Sequence, residues 1–149
     1  MGRSYTNINV HIIFHIKNGQ CEMAEDDLPE IFRYVGGTIR TLSGYAYMVG
    51  GSTDHLHIFT SLPVTSSLSD FVSRIKSNSS RWIKGLDMYY NRFSWQEGYG
   101  AFSVSESMKE AVTTYIDNQA KHHQKYTTHE EQALFMKKYG IHHASTETK

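Results

Sequence analysis

Apolar and polar residues alternate at the start of the chain, where Ile8, Val10, Ile12, Phe14 and Ile16 are interleaved with Asn9, His11, Ile13 and His15. Successive side chains of a β-strand point to opposite faces, so this pattern predicts a long strand over residues 8–16 with one buried face. Two further apolar runs predict strands at 45–49 and 55–62, joined by a loop of turn-forming residues at 50–54. A short fourth strand is predicted at 101–104.

Other segments carry apolar residues at helical spacing. The first helix is predicted at 28–42, with Asp27 as a possible cap and Pro29 in the first turn. A second helix is predicted at 67–84. A third runs from Glu106 to about residue 125, capped by Ser105 or Ser107, and an amphipathic helix follows at 129–139.

The resulting order of elements is β-α-β-β-α-β-α, followed by the last amphipathic helix. We therefore predict an α+β fold of the ferredoxin-like (RRM-like) kind, an antiparallel sheet with helices packed mainly on one face. The other face would then be available to a substrate or a partner subunit. The length of 149 residues predicts a single domain over 1–143, with a disordered polar tail at 144–149.

Composition narrows the class of protein only slightly. Lys plus Arg and Asp plus Glu number 15 each, so net charge gives no support to a nucleic-acid partner. A basic cluster nevertheless lies in and after the second predicted helix: Arg74, Lys76, Arg81, Lys84 and Arg92, against Asp87 alone. The single cysteine, the lack of a signal-peptide pattern and the lack of a membrane-spanning run predict a cytoplasmic protein.

Two pairs of residues carry candidate chemistry. His55 and His57 lie two apart in a predicted strand and would project side by side, on the face away from the main helical core. Tyr115 and Gln119 lie one turn apart on a predicted helix and would project together. Two imidazoles and an amide oxygen can bind a divalent ion on three points, beside a phenol. Asp54 is interpreted as a turn residue rather than as a partner that orients His55.

Five segments of the chain, which include these two pairs, resemble segments of the HUH single-strand DNA endonucleases and occur in the same order. The chain is most similar to the single-tyrosine transposases of the insertion-sequence 200/605 group, which includes transposases associated with repetitive palindromes. The segments are NVHIIF at 9–14, DHLHIF at 54–59, FVSRIKSNSSR at 71–81, WQEGYGAFSV at 95–104 and YIDNQ at 115–119.

The resemblance implies that Tyr115 is the nucleophile and that His55, His57 and Gln119 hold Mg²⁺ or Mn²⁺. The implied reaction is cleavage and rejoining of single-stranded DNA at hairpin-bearing element ends, through a 5′-phosphotyrosine intermediate. It further implies a homodimer whose active sites are shared between chains. No phosphate-binding glycine loop is found in the sequence, so no nucleotide cofactor is expected.

Candidate DNA contacts lie in two of the matching segments. Arg74, Lys76 and Arg81 on the basic helix are expected to contact the DNA backbone. Tyr99 is expected to stack on bases, whereas Phe102 is assigned to the core.

Two alternative functions remain open. One is a non-catalytic RRM-like nucleic-acid-binding module, because residues 97–104 partly match the RNP1 consensus. The other is an HUH nickase for replication initiation, which shares the metal and tyrosine chemistry but is often longer. Dependence on a divalent metal separates the binding module from both enzymes.

Overall fold

The computed structural model describes residues 3–119 and contains a four-stranded antiparallel sheet. The strands are β1 (Asn9–His15), β2 (Ala46–Ser52), β3 (His55–Ser61) and β4 (Gly100–Ser103). Their order across the sheet, β2-β3-β1-β4, is that of the ferredoxin-like fold and confirms the predicted class. The predicted helix at 129–139, the end of the preceding helix beyond residue 119 and the tail at 144–149 lie outside the described residues.

In this described part of the chain, three α-helices connect or follow the strands: α1 (Leu28–Thr41), α2 (Leu68–Lys84) and α3 (Lys109–Asp117). Pro29 lies in the first turn of α1, as predicted. Ser67 caps α2 by accepting a 3.1 Å hydrogen bond from the Asp70 N–H. No helix within residues 3–119 is long and apolar enough to cross a membrane.

Neither predicted helix cap makes a side-chain cap bond. Asp27 occupies the N-cap position of α1, as predicted, but its carboxylate accepts a hydrogen bond from Tyr90 and none from the first turn of the helix. The segment after β4 begins with a 3-10 turn at Glu106–Met108, and neither Ser105 nor Ser107 caps α3. The Ser105 and Ser107 hydroxyls contact one another at 3.2 Å.

The main core lies between one face of the sheet and helices α1 and α2. Alternate side chains of β1 and β3 form one side of this core, and apolar side chains of α1 and α2 form the other. The central members are fully or almost fully buried: Ile12, Phe14, Leu56, Ile58, Ile31, Val35, Ile39, Phe71 and Ile75. Burial of each such side chain contributes about 1.5–3 kcal/mol, so this layer is the principal source of stability.

A smaller core lies on the opposite face, beneath α3. It consists of the buried residues Phe59, Val104, Val112 and Ile116, with Tyr47 and Met48 packed against it. Helix α3 contacts β2 and β3 of its own chain. The second face is therefore partly covered, although α1 and α2 place most of the helical layer on the first face, as predicted.

The turn between β2 and β3 is shorter than the predicted loop at 50–54. Strand β2 continues through Gly50 and Gly51 to Ser52, leaving only Thr53 and Asp54 in the turn. Gly51 has a φ of +146°, and a Cβ there would collide with the carbonyl oxygen of His55. These glycines therefore belong to the strand, where their lack of a side chain permits close packing.

A buried tyrosine ties the segment after α2 to the start of α1. The Tyr90 hydroxyl donates a 2.6 Å hydrogen bond to Asp27 Oδ2 and accepts a 2.9 Å bond from the Ala24 N–H. Burial, with the hydrogen bond to Asp27, raises the pKa of Tyr90 to about 12. The neutral phenol is thus favoured in the folded state.

We predict that Tyr90→Phe lowers the free energy of unfolding by about 1–3 kcal/mol at pH 8, because the Asp27 carboxylate and the Ala24 N–H each lose a partly buried hydrogen bond. The raised pKa gives a second expectation. Stability due to the neutral phenol is fully present below pH 10 and is lost as the pH rises toward 12. Urea unfolding of both proteins at pH 8 and pH 11 should therefore show a smaller difference at pH 11. A difference that grows with pH would contradict this account.

Candidate active site

The two predicted pairs of functional residues meet on the face of the sheet that α3 covers. Leu56 and Ile58 enter the main core, so His55 and His57 project from the opposite face of β3, as predicted, where α3 lies over them. Val112 and Ile116 hold α3 against this face and bring Gln119 down beside the histidines. The side chains of His55, His57 and Gln119 are all fully buried.

His55 is held at both ring nitrogens. Its Nε2 lies 3.2 Å from Gln119 Oε1, and its Nδ1 lies 2.7 Å from Asp54 Oδ1. Asp54 occupies the turn before β3, as predicted, but the interpretation that it does not orient His55 is wrong, because its carboxylate contacts the His55 ring. A carboxylate on one imidazole nitrogen fixes the tautomer so that the other nitrogen can serve as a ligand.

His57 is held by a residue that the sequence reasoning missed. His57 Nδ1 lies 2.9 Å from Nε2 of His11, which is fully buried in β1. The alternation in β1 had placed His11 opposite the apolar core face, but only the register of β1 against β3 brings it to His57. His15 stands directly across from His55, with ring centroids 5.1 Å apart. Four imidazoles thus form a continuous row.

Burial is the main influence on the protonation of His57 within this row. It lowers the pKa of His57 well below the ordinary value, and the neighbouring His55, His11 and His15 lower it further. A hydrogen bond that His57 donates to the Gln119 amide oxygen acts in the opposite direction and raises the pKa. The neutral imidazole that results is the form that binds metal ions.

Tyr115 lies at the edge of this row and is partly buried. Its ring is edge-on to His57 at 5.6 Å between centroids and to His11 at 6.2 Å. The Gln119 amide N–H is directed at the Tyr115 carbonyl oxygen, one turn earlier, at 3.4 Å. This contact turns the amide oxygen of Gln119 toward His55.

The donor set fits a divalent cation. Adjacent ligands of an octahedral ion, each at about 2.1 Å from it, stand about 3 Å apart. The separation of 3.2 Å between His55 Nε2 and Gln119 Oε1 is close to this spacing, and Gln119 also bonds to His57. Within residues 3–119 no three His, Cys, Asp or Glu side chains are arranged to hold a metal ion. A metal site at His55 and His57 would therefore take the Gln119 amide oxygen as its third ligand.

The predicted DNA contacts lie elsewhere, on or near α2 on the other face of the sheet. Lys76 Nζ donates to the carbonyl oxygens of Gln96 and Gly98 at 2.7 and 2.8 Å, so it braces the loop before β4. Arg74 pairs with Asp70 at 3.1 Å, and Arg81 donates to Asn78 at 3.3 Å. Tyr99 is 40% exposed. The structure does not bring these residues together with His55 and His57.

Lys76 and Tyr99 do share a groove between α2 and the loop before β4. Its cavity of about 440 Å³ is lined by one side of α2, including Ser69, Ser73 and Ser77, and by Trp95, Gln96 and Glu97. The exposed guanidinium groups of Arg74 and Arg81 lie on the same helix.

The fold and sequence resemble known transposases. A transposase of Deinococcus radiodurans R1, so named in its crystal structure, has a TM-score of 0.61 at 18% identity, over 80% of this chain and 96% of that chain. The structure of a REP-associated tyrosine transposase bound to a REP hairpin has a TM-score of 0.55 at 15% identity, over 82% of this chain and 74% of that chain. No curated protein matches the sequence.

These two structures, at such low identity, establish a shared fold. The family is established separately by sequence. The family model described as "Transposase IS200 like" matches residues 4–119, which include β1 with His11, the histidine pair on β3 and the whole of α3. The chain therefore belongs to the IS200-like transposase family.

Proposed function

We propose that this transposase cleaves and rejoins single-stranded DNA by transesterification through a 5′-phosphotyrosine at Tyr115. The observation that carries the proposal is the docking of α3, which brings Tyr115 and Gln119 to the two histidines of β3. A phenol beside a site able to bind a divalent ion is the arrangement that attack on a phosphodiester needs.

In the proposed step Tyr115 Oη attacks the scissile phosphorus. The new bond joins Oη to phosphorus, and the bond from phosphorus to the 3′ oxygen breaks. The phenol proton is lost and the departing 3′ oxygen gains one, so the products are a free 3′-hydroxyl and a 5′-phosphotyrosine. One phosphodiester is exchanged for another of similar energy, so a 3′-hydroxyl can later reverse the step without a nucleotide cofactor.

His55, His57 and Gln119 are the residues that would hold Mg²⁺ or Mn²⁺, which when bound would stabilise negative charge on the phosphate oxygens. Asp54 Oδ1 lies 2.7 Å from His55 Nδ1, and His11 Nε2 lies 2.9 Å from His57 Nδ1. These contacts hold the two imidazoles in position. Burial of His55, His57 and Gln119 would also limit the access of water to the covalent intermediate, which would favour rejoining over hydrolysis.

We propose that the substrate carries a hairpin, and the REP hairpin in the related structure supports this. The side chains of Arg74 and Arg81 are both exposed, so both can contact phosphates. The exposed ring of Tyr99 can stack on an unpaired base. Two carbonyls engage the Lys76 ammonium, which has three N–H donors. Its contribution to DNA binding would therefore come through the remaining donor and the shape of the braced loop.

The two alternative functions receive less support. A non-catalytic RRM-like module gives no reason for three buried imidazoles with Gln119 and Tyr115 beside them. A replication nickase would use the same groups, but the IS200-like family match favours the transposase.

We predict that Tyr115→Phe abolishes covalent adduct formation on single-stranded hairpin DNA, while DNA affinity changes less than about twofold. The reason is that only the nucleophilic oxygen is removed, so the loss should exceed about 10³-fold in rate. A denaturing gel with Mg²⁺ or Mn²⁺ present measures the adduct.

Tyr34→Phe is the matched control, since Tyr34 stacks on Trp82 at 4.6 Å in the helical layer and should not affect cleavage. Excess chelator and duplex DNA of the same sequence should each give no adduct with the unaltered protein. An adduct that persists in Tyr115→Phe would identify a different nucleophile, and Tyr126, outside the described residues, would be examined first.

We further propose that the active form is a dimer in which α3 of each chain serves the histidine pair of the other. Resemblance to the single-tyrosine group motivates this proposal. In the single chain described, α3 docks on its own sheet, but only residues 104–108 connect it to β4. The same contacts between Ile116, Val112 and Phe59 could form between two chains.

Mixing two inactive variants tests the shared site. Tyr115→Phe and His57→Ala are each expected to be inactive alone and to regain cleavage after subunit exchange. A mixed dimer contains one site with both groups intact and one site lacking both, so recovery should approach about a quarter of the normal activity if subunits assort at random and each intact site acts alone.

Exchange itself is followed by energy transfer between differently labelled chains. Recovered cleavage supports sites built from two chains. Complete exchange with no recovered cleavage would show that each site is built within one chain, as α3 is docked here.

A further inference from the structure

A glycine of β2 lies against the helix that carries the candidate nucleophile. Gly50 is paired with His57 in the register of β2 and β3, so it stands beside the histidine pair on the same face of the sheet. Ile116 of α3 lies directly over it. The sequence pattern had assigned Gly50 to a turn, which gave it no role at the site.

The approach at Gly50 is too close for any side chain. A Cβ there would lie 2.8 Å from Ile116 Cγ2 and 3.0 Å from the Ile116 carbonyl oxygen. Ordinary van der Waals contact needs about 3.5 Å or more. The backbone φ of Gly50 is not in the left-handed range that favours glycine, unlike that of Gly51 at +146°. Space, rather than backbone conformation, therefore requires glycine at this position.

The atoms that a Cβ would meet belong to the functional part of α3. Ile116 follows Tyr115 and is one turn before Gln119, and its carbonyl oxygen is part of the rigid helix backbone. A side chain at position 50 would move that turn away from the sheet by about half an ångström or more. Gln119 Oε1 and the Tyr115 ring would move with it, away from His55 and His57.

We propose that Gly50 is a positioning residue that sets the height of α3 above the histidine pair. It acts through Ile116 and so fixes the placement of both Tyr115 and Gln119. The inference rests on the proposed function for its catalytic consequence, whereas the placement of α3 can be measured without any reaction. Catalytic groups must be held to within about 0.5 Å, so such a shift is large enough to affect the rate.

The test compares Gly50→Ala with Gly36→Ala. Gly36 lies in α1, and a Cβ there meets no atom within 4 Å, so its substitution adds the same methyl group without a contact. Hydrogen exchange measures the docking of α3 through the amides of residues 113–118. Single-turnover cleavage of saturating hairpin DNA measures the chemical step, and DNA affinity is measured separately.

In Gly50→Ala we expect the α3 amides to exchange at least about tenfold faster while those of β1 and α1 are unchanged. The single-turnover rate should fall by about 10–100-fold, with DNA affinity within about twofold, because misplacement of about 1 Å can cost a factor of that order. Gly36→Ala should change neither quantity.

An unchanged rate of hydrogen exchange at the α3 amides of Gly50→Ala overturns the proposal. Faster hydrogen exchange there with an unchanged cleavage rate also overturns it. If the unaltered protein forms no adduct, the proposed function fails, and the hydrogen-exchange data alone decide whether Gly50 places the helix.

A second variant is needed if the amides of Gly50→Ala lose protection from hydrogen exchange throughout the protein. The same measurements are then made on Gly50→Ala combined with Ile116→Ala. That variant lacks the nearest contacting carbon but keeps the carbonyl contact at 3.0 Å, so it should cleave more slowly than Ile116→Ala alone. A folded double variant with the same exchange and cleavage rate as Ile116→Ala overturns the proposal.

Discussion

The arrangement of the candidate site depends on the packing of α3 against the face of β2 and β3 that carries the histidines. Phe59 from the sheet and Val112 and Ile116 from the helix form this small apolar contact, which is separate from the main core. The contact covers His55 and His57 and brings Tyr115 and Gln119 to them. Without it, the imidazoles would face solvent and would lack their third candidate ligand.

Burying this many polar side chains requires that each be matched by another polar group. His11, His55, His57 and Gln119 are all fully buried, and they contact one another or Asp54 in a linked set. An unmatched polar group buried in this way would cost about 1–3 kcal/mol. The polar groups therefore hold α3 in a particular position, while the apolar residues beneath it supply most of the attraction. This division explains how a small interface can place two functional side chains accurately.

Within residues 3–119, local patterns were sufficient to predict the order of strands and α-helices and the faces of the strands, although not the length of the turn between β2 and β3. Alternation in β3 placed Leu56 and Ile58 in the core and the histidines opposite, and helical spacing paired Tyr115 with Gln119. Contacts across the sheet could not be predicted in the same way. His11 meets His57 only through the register of β1 and β3, and Gly50 meets Ile116 only after α3 has docked. The loop contacts of Lys76 and the Asp27 bond to Tyr90 likewise join residues distant in sequence, which local spacing does not report.

The most direct test of this account is the location of a bound metal ion. In crystals grown with Mn²⁺, anomalous scattering should give a peak within about 2.0–2.3 Å of His55 Nε2, a ring nitrogen of His57 and Gln119 Oε1. The Tyr115 hydroxyl should face the open side of that ion. A peak elsewhere, or a peak at the histidines with Gln119 turned away in the presence of saturating Mn²⁺, would contradict the claim that docking of α3 completes the site.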